Sequence, residues 1–256
     1  MRANVKLGRI AGIEIGLDYS WFIIAALIAF SLSEHFHEVN PNWGVGQIWI
    51  AALVTAAFFF VSLLLHELGH SLVAQARGLK VKAITLFALG GISQIEGDAT
   101  DAKTEFWVAI AGPLASVVIG FACLLIAPQL GWRSSGPHTA VSGVVFWLGY
   151  INIALAAFNM IPGYPLDGGR VLRAILWAIT KNADRSTRIA ARVGQVVAFL
   201  FILDGIWKFF SGAGVGGLWI AFIGWFLMDA AKASYAHVQI KPAIAGMHVS
   251  EMTRHS

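Results

Sequence analysis

The pentapeptide His66-Glu67-Leu68-Gly69-His70 holds three side chains able to do chemistry at a spacing that lets them act together. On a helix, positions i and i+4 share one face. The two imidazoles can therefore grip one zinc ion, and Glu67, beside the first of them, can reach a metal-bound water as general base. Zinc lowers the pKa of such a water to about 7, which makes it a nucleophile at neutral pH. The plain alternative is a chance match of structural polar residues. The surrounding helix argues against it, because it is apolar on every side. An ionisable group in a membrane span is costly and is functional by default.

Catalytic zinc takes three protein ligands and keeps a fourth position open. The acids downstream are Glu96, Asp98 and Asp101, in a polar stretch, and Asp167, in Asn159-Met160-Ile161-Pro162-Gly163-Tyr164-Pro165-Leu166-Asp167-Gly168-Gly169-Arg170. Prolines 162 and 165 and glycines 163, 168 and 169 break the helical pattern, so irregular backbone can aim the Asp167 carboxylate. Asp167 is the better candidate for the third ligand. The competing role for it is a helix N-cap ahead of Gly168.

Long apolar elements must carry these residues. The chain has 256 residues, 57% hydrophobic and 12% charged, with ten Trp. Soluble domains carry about 25% charged residues, so lipid is the solvent. Six spans can be drawn, at about 19–34, 47–76, 105–128, 139–161, 193–211 and 215–231. The expected fold class is an all-α polytopic membrane protein of about six transmembrane helices. One short segment differs. Residues 81–96 are β-branched and apolar around Gly90-Gly91, and predict a membrane-associated β-hairpin after the zinc-binding helix. Its edge would carry unpaired backbone groups, which are costly in lipid. A substrate unwound from its own helix has the same need. Gly90, Gly91, Ile92 and Ser93 are therefore candidate substrate-binding residues that pair with substrate as an added strand; the alternative is a hairpin that only plugs the cavity.

The formal net charge is +4. The basic residues sit at the ends of apolar segments rather than on one face, which excludes nucleic acid as a partner. With the N-terminus inside, only Arg133 and Lys208 of the 18 Lys and Arg fall outside. Both termini are then cytoplasmic in a multi-pass cell-membrane protein. His70 precedes Arg77 by about 10 Å of helix, and Asp167 lies just before Arg170, so the active site faces the cytoplasmic side. The single cysteine, Cys123, can form no internal disulfide.

His66-Glu67-x-x-His70, Asn159…Pro162…Leu166-Asp167-Gly168 and Ala111-Gly112-Pro113-Leu114-Ala115 together resemble the site-2 protease family of intramembrane zinc proteases. The Gly90-Gly91 hairpin and the opening Leu7-Gly8-Arg9-Ile10-x-Gly12 match as well, so the likeness spans roughly residues 7–231. It implies His66, His70 and Asp167 as ligands of one zinc per chain and Glu67 as catalytic acid–base. It also implies Asn159 as a hydrogen-bond donor to the oxyanion. Asn152, two turns earlier, is expected to bond between helices. The implied substrate is a single-span membrane protein, such as an anti-sigma factor or a membrane-tethered regulator, cut in regulated intramembrane proteolysis. Gly246-Met247-His248-Val249-Ser250-Glu251-Met252-Thr253-Arg254 is similar to the opening of a CBS domain, found in one branch of the family. The domain reading is thus a protease domain over 1–231 and a cytoplasmic tail over 232–256, the stub of a truncated CBS domain or an accidental likeness. Nucleotide would bind only with a full CBS module. The competing function is a membrane metal-ion transporter using the same His and Asp cluster; no paired broken helices of that class are visible.

Overall fold

The apolar runs fold as helices and the β-branched runs as strands, in the order β1 (Val5–Ile10), β2 (Ile13–Leu17), α1 (Tyr19–Val39), α2 (Val45–Ala76), β3 (Lys80–Phe87), β4 (Gly90–Glu96), α3 (Ala102–Ile126), β5 (Trp132–Arg133), β6 (Gly136–Pro137), α4 (Ala140–Asn159), α5 (Asp167–Thr180), α6 (Ala183–Lys208) and α7 (Val215–Ala245). The structure, a computed structural model, describes residues 3–88, 90–133, 136–137 and 139–245.

Among the described residues, six helices are long and apolar enough to cross a membrane: Tyr19–Val39, Val45–Ala76, Ala102–Leu130, Ala140–Asn159, Ala183–Gly212 and Val215–Ser234. The chain is a multi-pass membrane protein, as expected. Two boundaries differ. α1 continues to Val39 where a loop from residue 34 was expected. Glu34, His35, His37 and Glu38 mask the period, but Leu32, Ser33 and Phe36 bury one face at helical spacing. α6 begins at Ala183, ten residues before the expected span. There Arg185, Arg188 and Arg192 conceal a buried stripe of Ser186, Thr187, Ala190 and Ala191, and the Asn182 side chain caps the Arg185 N–H. The polar tail expected from 232 starts as a continuation of α7 to Ala245; the CBS-like stretch 246–254 lies outside the described residues.

The chain divides into two compact units, Met1–Thr100 with Trp107–Phe158, and Asp101–Phe106 with Asn159–Ser256. In the first, β1 to β4 form one sheet in that order, β2 and β3 running parallel and the other neighbours antiparallel. The expected hairpin is therefore half of a larger sheet. The β1–β2 hairpin escaped the sequence because its turn is Ala11-Gly12, with φ of 51° and 80°, in place of the usual Asn-Gly or Asp-Gly. β4 is an edge, with Leu86 paired to Gly91 and Thr85 to Ile92 on its inner side. Ile13, Ile15 and Leu17 of β2, and Val81, Ile84 and Leu86 of β3, bury against Phe60, Leu63, Leu68 and Ala74 of α2. The sheet is thereby fixed to the half of α2 that carries His66-Glu67-x-x-His70. Asn152 of α4 donates to Ser62 Oγ of α2 at 3.2 Å, the expected bond between helices.

In the second unit α6 and α7 approach closely through glycine. A Cβ at Gly205 would collide with Ala221 backbone, and one at Gly217 with Phe209 backbone. Small residues let helix backbones touch in lipid. Gly212 and Gly214, at φ 107° and 49°, make the turn between the two.

Candidate metal centre

α2 carries both histidines on one buried face, at 3% and 4% exposure. Their Nε2 atoms stand 3.2 Å apart. Each ring is held from behind. His70 Nδ1 lies 2.7 Å from the Val108 carbonyl of α3. A carbonyl only accepts, so Nδ1 bears the proton and Nε2 offers a lone pair. His66 Nδ1 lies 3.0 Å from Ser116 Oγ, two turns further along α3. Such partners behind a metal-binding histidine fix its tautomer and orientation. With Zn–N bonds of 2.0–2.1 Å, two nitrogens on a tetrahedral zinc lie about 3.3 Å apart. The donor pair fits zinc in chemistry and in spacing.

Glycines make the room. Gly69, inside the pentapeptide, presses on α3, where an added Cβ would come 2.9 Å from the Ala111 carbonyl oxygen. Across that contact, a Cβ at Gly112 would fall under 3.0 Å from three ring atoms of His70. Gly112, known from the sequence only as part of a motif, thus forms the wall against which His70 packs.

Glu67 leaves the same helix toward β4. Its Oε2 accepts from Ser93 Oγ at 2.8 Å, and Ser93 Oγ in turn accepts from Ser71 Oγ at 3.2 Å. A Cβ at Gly91 would meet Glu67 Cγ, Cδ and Oε1 at 2.5, 2.8 and 3.0 Å. Of the four candidate substrate residues, Gly91 and Ser93 therefore face the carboxylate. Gly90 begins the strand at φ 139° and Ile92 is exposed. Among the described residues the structure brings together His66, Glu67, His70, Gly91 and Ser93 within the first unit.

Asn159 and Asp167 belong to the second unit. Asn159 ends α4 and Asp167 opens α5, at either end of the proline-broken turn. Both are half-buried. The N-cap of α5 is Leu166, without a side-chain cap bond, and Asp167 is the first residue of the helix. Gly168 and Gly169 let the turn fold back on α5: a Cβ on either would strike the backbone of residues 160–161 or 163–164. Two of the competing acids have other work. Glu96 is exposed and pairs with Lys82, whose ammonium holds its carboxyl below the usual range. Asp101 accepts from the Thr104 N–H and hydroxyl at 2.9 and 2.8 Å, capping the start of α3. Sequence reasoning also missed Glu105, buried in the first turn of α3. It accepts from Arg170 Nε at 3.1 Å and pairs with Arg173 Nη1 at 3.2 Å, tying α5 down one turn after Asp167. Burial, with that carboxylate nearby, pushes the Tyr164 phenol up to about 12. The signal was available: an acid at the mouth of an apolar helix, and two arginines three residues apart on α5.

The chain belongs to peptidase family M50, which it matches over residues 54–134 and 134–202. A relative from Synechocystis sp., named as a zinc metalloprotease, is 40% identical over 94% of this chain and 62% of its own length. Rip3 of Mycobacterium tuberculosis, likewise named as a zinc metalloprotease, is 36% identical over 98% of this chain and 63% of its own. The chain thus spans about three fifths of these relatives. The solved structure of the site-2 protease from Methanocaldococcus jannaschii is similar at 30% identity, covering 90% of this chain and 94% of that one, with a TM-score of 0.59.

Proposed function

We propose that this chain hydrolyses peptide bonds in or beside transmembrane segments of other membrane proteins, with His66, His70 and Asp167 as the ligands of one zinc. The observation that carries this is the pair of buried Nε2 atoms 3.2 Å apart beside a carboxylate that is free of the metal's donor set. Zinc supplies Lewis acidity, polarising the scissile carbonyl and acidifying the attacking water. Glu67 takes the proton of that water as its oxygen bonds to the carbonyl carbon. It then returns the proton to the leaving nitrogen as the C–N bond breaks. Asn159 donates a hydrogen bond to the oxyanion. β4 holds the substrate extended, through main-chain groups of Gly90, Gly91, Ile92 and Ser93. Support for this comes from the position of β4 at the sheet edge with Glu67 against it.

The substrate class is a single-span regulator, such as an anti-sigma factor or a membrane-tethered transcription factor, cut in regulated intramembrane proteolysis. Both termini and the site face the cytoplasm, which rests on the distribution of Lys and Arg. The protease domain is residues 1–231, and 232–256 form a cytoplasmic tail whose stretch 246–254 is similar to the opening of a CBS domain. Adenine nucleotides would bind only where that module is whole. Purified protein offered a panel of single-span peptides should cleave some of them, and a zinc chelator should stop it. Ion flux without cleavage would favour a transporter. For the strand, Pro at successive positions from Phe87 to Gln94 should reduce cleavage in alternation, since only every second N–H faces outward; a uniform effect would point to a plug.

A further inference from the structure

β4 does two things at once. Residues i and i+2 of a strand face the same side, and on β4 these are Gly91 and Ser93. Both lie against Glu67: Gly91 by lacking a side chain, Ser93 by donating a hydrogen bond to Oε2 at 2.8 Å. Ser71, one turn along α2 from Glu67, donates to Ser93 Oγ and leaves the Ser93 proton directed at the carboxylate. Glu67 is thus steered by a strand rather than by its own helix, and the strand is a sheet edge. The neighbouring Ile92 points away and is exposed.

We infer that Ser93 is a positioning residue for the base: its hydroxyl holds the Glu67 carboxylate in place, and makes that placement depend on how β4 is seated. The part played by substrate rests on the hydrolytic reading given above. A segment pairing with the outer edge of β4 orders the strand, and through Ser93 orders Glu67. The base is then set when a strand is bound and looser when the edge is bare. Ser71 supports the arrangement at one remove. Neither serine donates an atom to the metal's ligand set, so zinc binding is independent of both.

The test uses the full chain, zinc-loaded, in mixed micelles, with a single-span peptide that the wild type cleaves. Ser93→Ala should keep one zinc per chain and leave KM within about twofold, while kcat falls about 10- to 100-fold, the scale of a lost hydrogen bond to a charged group. Ser93→Thr keeps the hydroxyl and should restore most of kcat, whereas the similarly sized Ser93→Val should not. Ser71→Ala should give a smaller loss in kcat, again with zinc retained. Wild-type kcat in zinc-loaded Ser93→Ala, or equal kcat in the Thr and Val variants, overturns the inference. A loss of zinc in Ser93→Ala overturns it too, since the serine would then be supporting the metal site. A wild type that loads zinc yet cleaves no peptide instead overturns the hydrolytic reading, so the two failures are told apart.

Discussion

Gly112→Ala is the sharpest structural perturbation of the zinc site, because it alters no ligand and no charge. The new methyl would fall under 3.0 Å from Nε2, Cε1 and Cδ2 of His70. Backbone cannot yield there, since α2 and α3 already touch at Gly69 and Ala111. The ring must rotate, and rotation breaks its 2.7 Å hydrogen bond to the Val108 carbonyl. Loss of such a supporting bond typically costs 10- to 100-fold in metal affinity, or about 1.4–2.8 kcal/mol. Overpacking adds about 1–3 kcal/mol of destabilisation. The zinc Kd, measured on the chelator-stripped protein by competition with a chromophoric chelator, should therefore rise roughly 10- to 100-fold or more. Gly46→Ala, where nothing lies within 4 Å of the added Cβ, should leave it unchanged. Gly91→Ala should separate the two functions, keeping zinc but losing cleavage, because its methyl meets Glu67 and not a histidine. Wild-type zinc affinity in Gly112→Ala, with native helicity by circular dichroism, would refute the packing argument.

Two further substitutions probe the second unit. Asp167→Ala should weaken zinc binding and cleavage together, while Glu96→Ala should change neither, since Glu96 is an exposed partner of Lys82; an Asp167→Ala protein with wild-type zinc affinity would remove Asp167 from the ligand set. Glu105→Ala takes from the half-buried Arg170 and Arg173 the buried carboxylate that they share. It should destabilise the protein by about 3–5 kcal/mol, the usual cost of breaking a buried ion pair from one side, and an unchanged unfolding midpoint in denaturant would contradict the role given to that cluster.

The parts that were legible in the sequence share a reason: lipid leaves few solutions. Apolar runs of spanning length must be helices, and ionisable residues inside them must have a purpose, so α2 with His66, Glu67 and His70 could be found by period and cost alone. The break at Pro162 was likewise plain, because proline and glycine have local consequences. What stayed hidden depends on tertiary partners. The β1–β2 hairpin turns on Ala11-Gly12, which carries no strong turn signal. Ser116 and Val108, which brace the two histidines, are ordinary residues of an apolar helix, 50 and 38 residues away in sequence from their respective partners. Ser93 was visible as part of a strand, but its bond to Glu67 needs the register of β4 and its packing on α2. α6 began early because arginines on its exposed face, and Ser186 and Thr187 within the buried stripe of small residues beneath, diluted the apolar signal.

The most direct test of the account is Glu67→Gln. The substitution keeps the shape of the side chain and can still meet Ser93, but removes the ability to take a proton from water. Zinc content by elemental analysis should stay at one per chain, because the proposed ligand set does not include Glu67, and hydrolysis of a peptide that the wild type cuts should vanish. Cleavage at the wild-type rate by zinc-loaded Glu67→Gln would contradict the assignment of Glu67 as the base, and with it the mechanism.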